Sequence, residues 1–168
     1  MAADREPPRR PSARNDSGGV RPQEPPRHRF EPDQSEAGRP FWAATVERRF
    51  VLPWCTACER AHWYPREACP SCLAASIEWR PASGHGVLYA RATMPKAAQP
   101  LLADRVPYVV ALVDLDEGVR MLSNLVGPEA LDLAIGSPVE LEWEPLSDGR
   151  ALPLFRRASM HFGVSALR

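Results

Sequence analysis

Cys55-Thr-Ala-Cys58 and Cys69-Pro-Ser-Cys72 bring all four cysteines of this chain into eighteen consecutive residues. Two C-x-x-C pairs at this separation suit one tetrahedral ion. Each pair closes on one side of the metal, and the segment between folds back as a short hairpin, the pattern of a zinc ribbon. Four thiolates fill a tetrahedral sphere and leave no position for water or substrate, so the chemistry implied is structural. Zn²⁺ held by Cys55, Cys58, Cys69 and Cys72 is the expected occupant, and iron suits the same sulfur set. Ribbon knuckles often carry glycine just after the second cysteine of each pair. Here those places hold Glu59 and Leu73. His62 lies close enough in sequence to substitute as a ligand, but is read as a solvent-facing ribbon residue.

The rest of the chain offers no catalytic set. There is no G-x-S-x-G elbow, and no cysteine remains outside the quartet. His28, His85 and His161 stand in the tail, in a turn and near the C-terminus, and are read as surface residues. Gly84-His-Gly86 is flanked by turn and strand rather than by strand and helix, so it is not a phosphate-cradling loop. No catalytic residue is assigned.

The elements that position the quartet follow from periodicity. Residues 1–40 hold 8 of the 19 prolines, and their large apolar residues beyond Met1 are Val20 and Phe30. Such a segment cannot offset its ordering entropy, so residues 1–36 are expected to form a disordered tail. Phe41, Trp42, Thr45 and Val46 recur at helical spacing, which predicts a short helix over about Pro40–Arg49 with Pro40 in its first turn. Phe50–Trp54 leads as a strand into the first knuckle. Beyond residue 78 strands and turns take over: Val87–Met94, an exposed loop over 96–106, and a buried strand Tyr108–Leu115. A tight turn at Asp116-Glu-Gly118, a returning strand from Val119 and a short helical turn over Glu129–Ala134 follow. Val139, Leu141 and Trp143 then alternate with Glu140, Glu142 and Glu144, and Leu152–Arg156 closes the series.

Five short strands in some eighty residues predict a small OB-type barrel. The fold class is mainly β: a disordered tail (1–36), a helix with a zinc ribbon (37–77), the barrel (78–158) and a C-terminal tail (159–168). Phe41, Trp42, Trp54, Trp63, Tyr64 and Trp79 crowd around the ribbon, as mortar between helix, ribbon and barrel or as a partner surface. The three glutamates read as a solvated strand face.

Formal net charge is zero. That gives no electrostatic footprint for nucleic acid, although OB folds and ribbons bind single strands elsewhere, so a nucleic-acid-binding module is the alternative reading. The polar start at Met1-Ala-Ala-Asp and the lack of a long apolar run place the protein in the cytoplasm, off the membrane.

The order of these parts resembles one family. Arg39-Pro-Phe-Trp42 comes before the first knuckle, and Tyr64-Pro-Arg66 before Cys69-Pro70-x-Cys72. Ser83-Gly84-x-Gly86, Pro107-Tyr-Val-Val-Ala-Leu-Val113, Asp116-Glu-Gly118, Gly136-x-Pro138-Val139 and Leu152-Pro-x-Phe155 follow. Over residues 38–158 the chain is similar to the "domain of unknown function 35" proteins, which join a helix and rubredoxin-like zinc ribbon to an OB fold. The resemblance implies a non-catalytic accessory subunit of a thiolase-superfamily acyl-CoA enzyme, of sterol-carrier-type thiolase or aldolase kind, in steroid or lipid degradation. It would shape the channel for the CoA thioester or stabilise the partner.

Overall fold

Pro40 sits in the first turn of helix α1 (Arg39–Val46), where its fixed φ is already helical and no N–H is required. The helix is shorter than its periodicity predicts. Arg48 takes a left-handed conformation (φ 57°) and ends the element there. The computed structural model describes residues 31–159. Most of the expected N-terminal tail and C-terminal tail, with His28 and His161, lies outside them. Residues 31–36, which composition places in the tail, make defined contacts. The Glu31 carboxylate accepts the Ser147 amide (2.9 Å), and the Pro32 carbonyl accepts from the Arg150 guanidinium (2.9 Å).

Two sheets follow. The first is the ribbon, with strand order β2-β1-β3 from β1 (Val51–Cys55), β2 (Arg60–Ala61) and β3 (Ile77–Pro81). β1 runs antiparallel to both neighbours, with Cys55 opposite Arg60 on one side and Ile77 on the other. The second is a closed five-stranded barrel in the order β4-β5-β6-β8-β7. Its strands are β4 (His85–Met94), β5 (Tyr108–Leu115), β6 (Arg120–Leu125), β7 (Pro138–Pro145) and β8 (Ala151–Arg157). This is the mainly β, OB-like architecture that the turn spacing predicts.

Two glycines carry the geometry where β4 begins and β5 ends. A side chain at Gly86 would stand 2.4 Å from the Asp114 carbonyl, so only glycine lets the strands approach. Gly118 (φ 77°) closes the β5–β6 turn, donating its N–H to Leu115 (2.9 Å).

The short turn expected over Glu129–Ala134 is found as hydrogen-bonded turns, with Ala130 N–H donating to the Gly127 carbonyl (3.2 Å) and Asp132 N–H to the Glu129 carbonyl (3.0 Å). Two local expectations change. Residues 96–106 are not wholly loop, since a 3-10 helix spans Pro100–Arg105. β5 is buried on one face only: Val109, Ala111, Val113 and Leu115 point inward, while Tyr108, Val110, Leu112 and Asp114 stay half-exposed. An apolar run cannot reveal by itself that one of its faces is open.

One core joins the two sheets. Phe41, Phe50, Val51 and Leu52 from helix and ribbon pack with Leu88, Val113, Met121, Val139 and Phe155 from the barrel. Thr45, fully buried, fastens the joint. Its hydroxyl donates to the Trp42 carbonyl (2.8 Å) and accepts the Ala151 amide (3.2 Å). Arg150, 7 % exposed, adds a second fastening: its guanidinium lies 4.8 Å over the Trp42 ring and pairs with Asp148. Periodicity places Thr45 on the helix but gives no sign of its bond to Ala151 or of the grip of Arg150 on Trp42.

Candidate metal centre and the cleft on the barrel

The four cysteine sulfurs lie within 4.8 Å of one another. Cys55 Sγ is 3.6 Å from Cys72 Sγ, and Cys58 Sγ is 3.7 Å from Cys69 Sγ. A tetrahedral zinc with bonds of about 2.3 Å sets its sulfurs about 3.8 Å apart, so the donor set has the right identity and the right size. The end of β1 supplies Cys55, the first knuckle Cys58, and the second knuckle Cys69 and Cys72. Amide donors already favour thiolate on one of them. The N–H groups of Cys72 and Ser71 bring the Cys69 thiol down to about 6, and Ser71 N sits 3.4 Å from its sulfur. Burial and the neighbouring thiols push Cys58 up to about 12.

Glu59 and Leu73 stand at the knuckle places where glycine is usual. Both are left-handed, with φ 52° and 63°. The chain demands the conformation glycine adopts freely and supplies residues for which it costs about 1–2 kcal/mol. Glu59 recovers part of that cost, because its carboxylate accepts from Trp54 Nε1 (3.2 Å) and Arg80 (3.3 Å). Leu73 is 81 % exposed. Leu73→Gly is therefore expected to stabilise the ribbon by up to about 1 kcal/mol. Thermal unfolding and the rate of metal loss to a chelator would both report it, and a destabilised variant would contradict the strain.

His62 departs from its expected place. It is 5 % exposed rather than solvent-facing, and it is not among the clustered ligands. Burial, and then the charge of Arg66, lowers its pKa, which keeps the ring neutral. It follows directly on the two-residue β2, and its amide donates to the Pro53 carbonyl (3.0 Å), a placement that spacing alone cannot give. The aromatics divide as their two readings allow. The Phe41 ring meets Trp42 at 5.1 Å, Trp63 at 5.0 Å and Phe50 at 6.4 Å, all edge-on, and so cements helix to ribbon. Tyr64 is half-exposed.

The glutamate row is not the freely solvated face expected. Arg156 pairs with Glu140 (2.9 Å) and Glu142 (3.1 Å), and Arg105 pairs with Glu144 (2.8 Å). The Glu140 and Glu144 side chains are only 16 % and 17 % exposed. The basic partners stand on β8 and the 3-10 helix, outside the strand itself, which is why its alternation alone misses them.

A cleft of about 750 Å³ opens against β5 and β6, the strands on which OB folds hold ligands. Leu102, Tyr108, Val110, Leu122, Leu131 and Leu154 line it. Four of its polar side chains are engaged with other protein groups. The Ser123 hydroxyl donates to the Pro153 carbonyl (2.6 Å), the Asn124 amide to the Val109 carbonyl (3.0 Å), and Arg105 is held by Glu144. A cleft so lined favours apolar matter. Among the described residues, no helix is long and apolar enough to cross a membrane.

Comparison with known proteins agrees with this anatomy. Residues 42–78 match the ChsH2 rubredoxin-like zinc ribbon domain, and residues 79–144 match the ChsH2 C-terminal OB-fold domain. A probable enoyl-CoA hydratase alpha subunit of Thermomonospora curvata is 39 % identical over 121 residues, covering 70 % of this chain and 37 % of that protein. A DUF35 domain-containing scaffold protein of Methanocaldococcus jannaschii is 31 % identical over 87 residues, covering 51 % of this chain and 61 % of its own length. The chain thus spans less than two thirds of either. Among solved structures, the Ltp2-ChsH2(DUF35) aldolase matches with a TM-score of 0.69 and 34 % identity, over 77 % of this chain and all of the matched one. The two family models adjoin and together cover residues 42–144, more than half of the chain, which belongs to the ChsH2-type DUF35 family.

Proposed function

We propose that this chain is a non-catalytic accessory subunit of a thiolase-superfamily acyl-CoA enzyme, of aldolase or hydratase type, and that Zn²⁺ on Cys55, Cys58, Cys69 and Cys72 holds its ribbon folded. The observation that carries the reading is the likeness, over 77 % of this chain, to the Ltp2-ChsH2(DUF35) aldolase. The scaffold name of the archaeal relative supports it. A closed four-sulfur sphere fits as well, because it can brace a fold and has no open position for substrate. The apolar cleft suits a place beside an acyl thioester in the assembled enzyme, in steroid or lipid degradation, within the cytoplasm. The units are then a tail, the helix and ribbon with β3 counted in the ribbon sheet, and the barrel.

The nucleic-acid alternative needs free cations and stacking rings along the barrel. Arg105 in the cleft is tied to Glu144, and Tyr108 is the one aromatic residue lining it, which weighs against that reading.

The purified chain is expected to turn over no acyl-CoA alone, and to form a soluble complex when co-expressed with a thiolase-like enzyme encoded beside it. Turnover by the isolated chain, or failure of every neighbouring thiolase-like enzyme to bind, would overturn the proposal.

A further inference from the structure

The two sides of the barrel present opposite chemistry to their surroundings. On β7 and β8 the outward residues form a lattice of ion pairs, Arg156 with Glu140 and Glu142, and Arg157 with Glu129 (3.0 Å). Such a surface is satisfied in water. On β4, β5 and β6 the outward face is mostly apolar around a single ion pair, Arg120 with Asp114. The registers Val87–Asp114–Arg120 and Ala90–Leu112–Leu122 put these six residues on one face. Tyr89, the extra residue of the bulge between Leu88 and Ala90, joins them, because its ring lies under the Arg120 guanidinium at 3.1 Å. Val87 is 44 % exposed, Tyr89 48 % and Leu122 53 %. Leu122 carries the patch over into the cleft, where Leu131 stands.

We infer that this outer face of β4–β6, centred on Tyr89, Arg120 and Leu122, is where the partner enzyme seats. The inference rests on the function proposed above and adds the surface. Large exposed apolar residues gathered on one face mark interaction sites, and tyrosine and arginine are the side chains that most often dominate them. The charges choose the occupant's chemistry. Asp114 holds Arg120 through two hydrogen bonds (2.6 and 2.9 Å), so the patch is neutral as a whole and fits an apolar, uncharged counter-surface rather than an acidic one. Glu31 is fixed at the β7–β8 turn through Ser147, and Ser159 follows β8 with its hydroxyl on Glu140 (3.2 Å).

The test uses the full chain with each thiolase-like enzyme encoded beside it, and with the Ltp2 subunit as a second probe. Leu122→Asp is expected to weaken binding about 100-fold, with metal content and melting temperature kept, while Arg156→Ala binds as the parent does. Hydrogen exchange of the unaltered complex should show new protection in residues 87–92 and 120–124 but not in β8, a readout that stands even if Leu122→Asp folds poorly. Parent binding with protection confined to β7–β8 or the ribbon would overturn the docking face and leave the accessory role intact. If no probe binds the parent, the role itself fails. Concentration-dependent self-association lost in Leu122→Asp would assign the face to a second copy and overturn the inference.

Discussion

Cys69→Ser is expected to strip the chain of its metal and unfold the ribbon. Cys69 is 1 % exposed and draws on amide donors that favour its thiolate. A serine hydroxyl stays protonated at neutral pH and reaches less far, so three sulfurs must hold an ion shaped for four. Apparent zinc binding supplies about 10–16 kcal/mol to structural sites of this kind, as much as or more than the net stability of an ordinary domain, about 5–15 kcal/mol. The knuckle end of the ribbon has little else to lean on: β2 is two residues long, and the backbone at Glu59 and Leu73 is strained. Its inner residues Phe50, Val51 and Leu52 also belong to the core shared with the barrel, so the loss spreads. Elemental analysis should find about one zinc per chain in the parent and almost none in the variant, with the melting temperature lowered by about 10 °C or more. A parent that folds equally well after exhaustive chelation would show that the ribbon stands without metal.

The parts of this molecule that read clearly from sequence are those whose cause is local. Cysteine spacing locates the quartet because ligand geometry is set within a few residues, and the sulfurs are found together. Asp116-Glu-Gly118 gives its turn because only glycine accepts that φ freely. Glu59 and Leu73 signal their own strain by standing where glycine is usual. What escapes is whatever depends on a distant partner. The burial of His62, the pairing of Glu144 with Arg105 and the grip of Arg150 on Trp42 and Pro32 all span elements remote in sequence. The open face of β5 escapes for a further reason. Its outward Val110 and Leu112 are as apolar as its inward residues, so composition describes two buried faces where the barrel covers one.

Phe155→Ala is expected to cost the barrel about 3–5 kcal/mol, a large share of what a domain of this size holds in reserve. Phe155 is fully buried and occupies the seam where the sheet closes on itself. It faces Leu141 across the antiparallel β7–β8 pair and Leu125 across the single parallel register between β6 and β8, and its carbonyl accepts the Val126 amide (2.8 Å). Every other strand junction in the barrel has three or more residue pairs to spread a defect over. Removing the ring leaves a cavity at the one joint with no such redundancy, flanked by Leu154, which lines the cleft. Denaturant unfolding should show the midpoint falling sharply while the purified variant keeps its metal, because the quartet lies in the other sheet. Phe155→Leu, which retains most of the volume, should lose only about 1–1.5 kcal/mol. An alanine variant within 1 kcal/mol of the parent would mean that β6 and β8 are held together by something other than this packed ring.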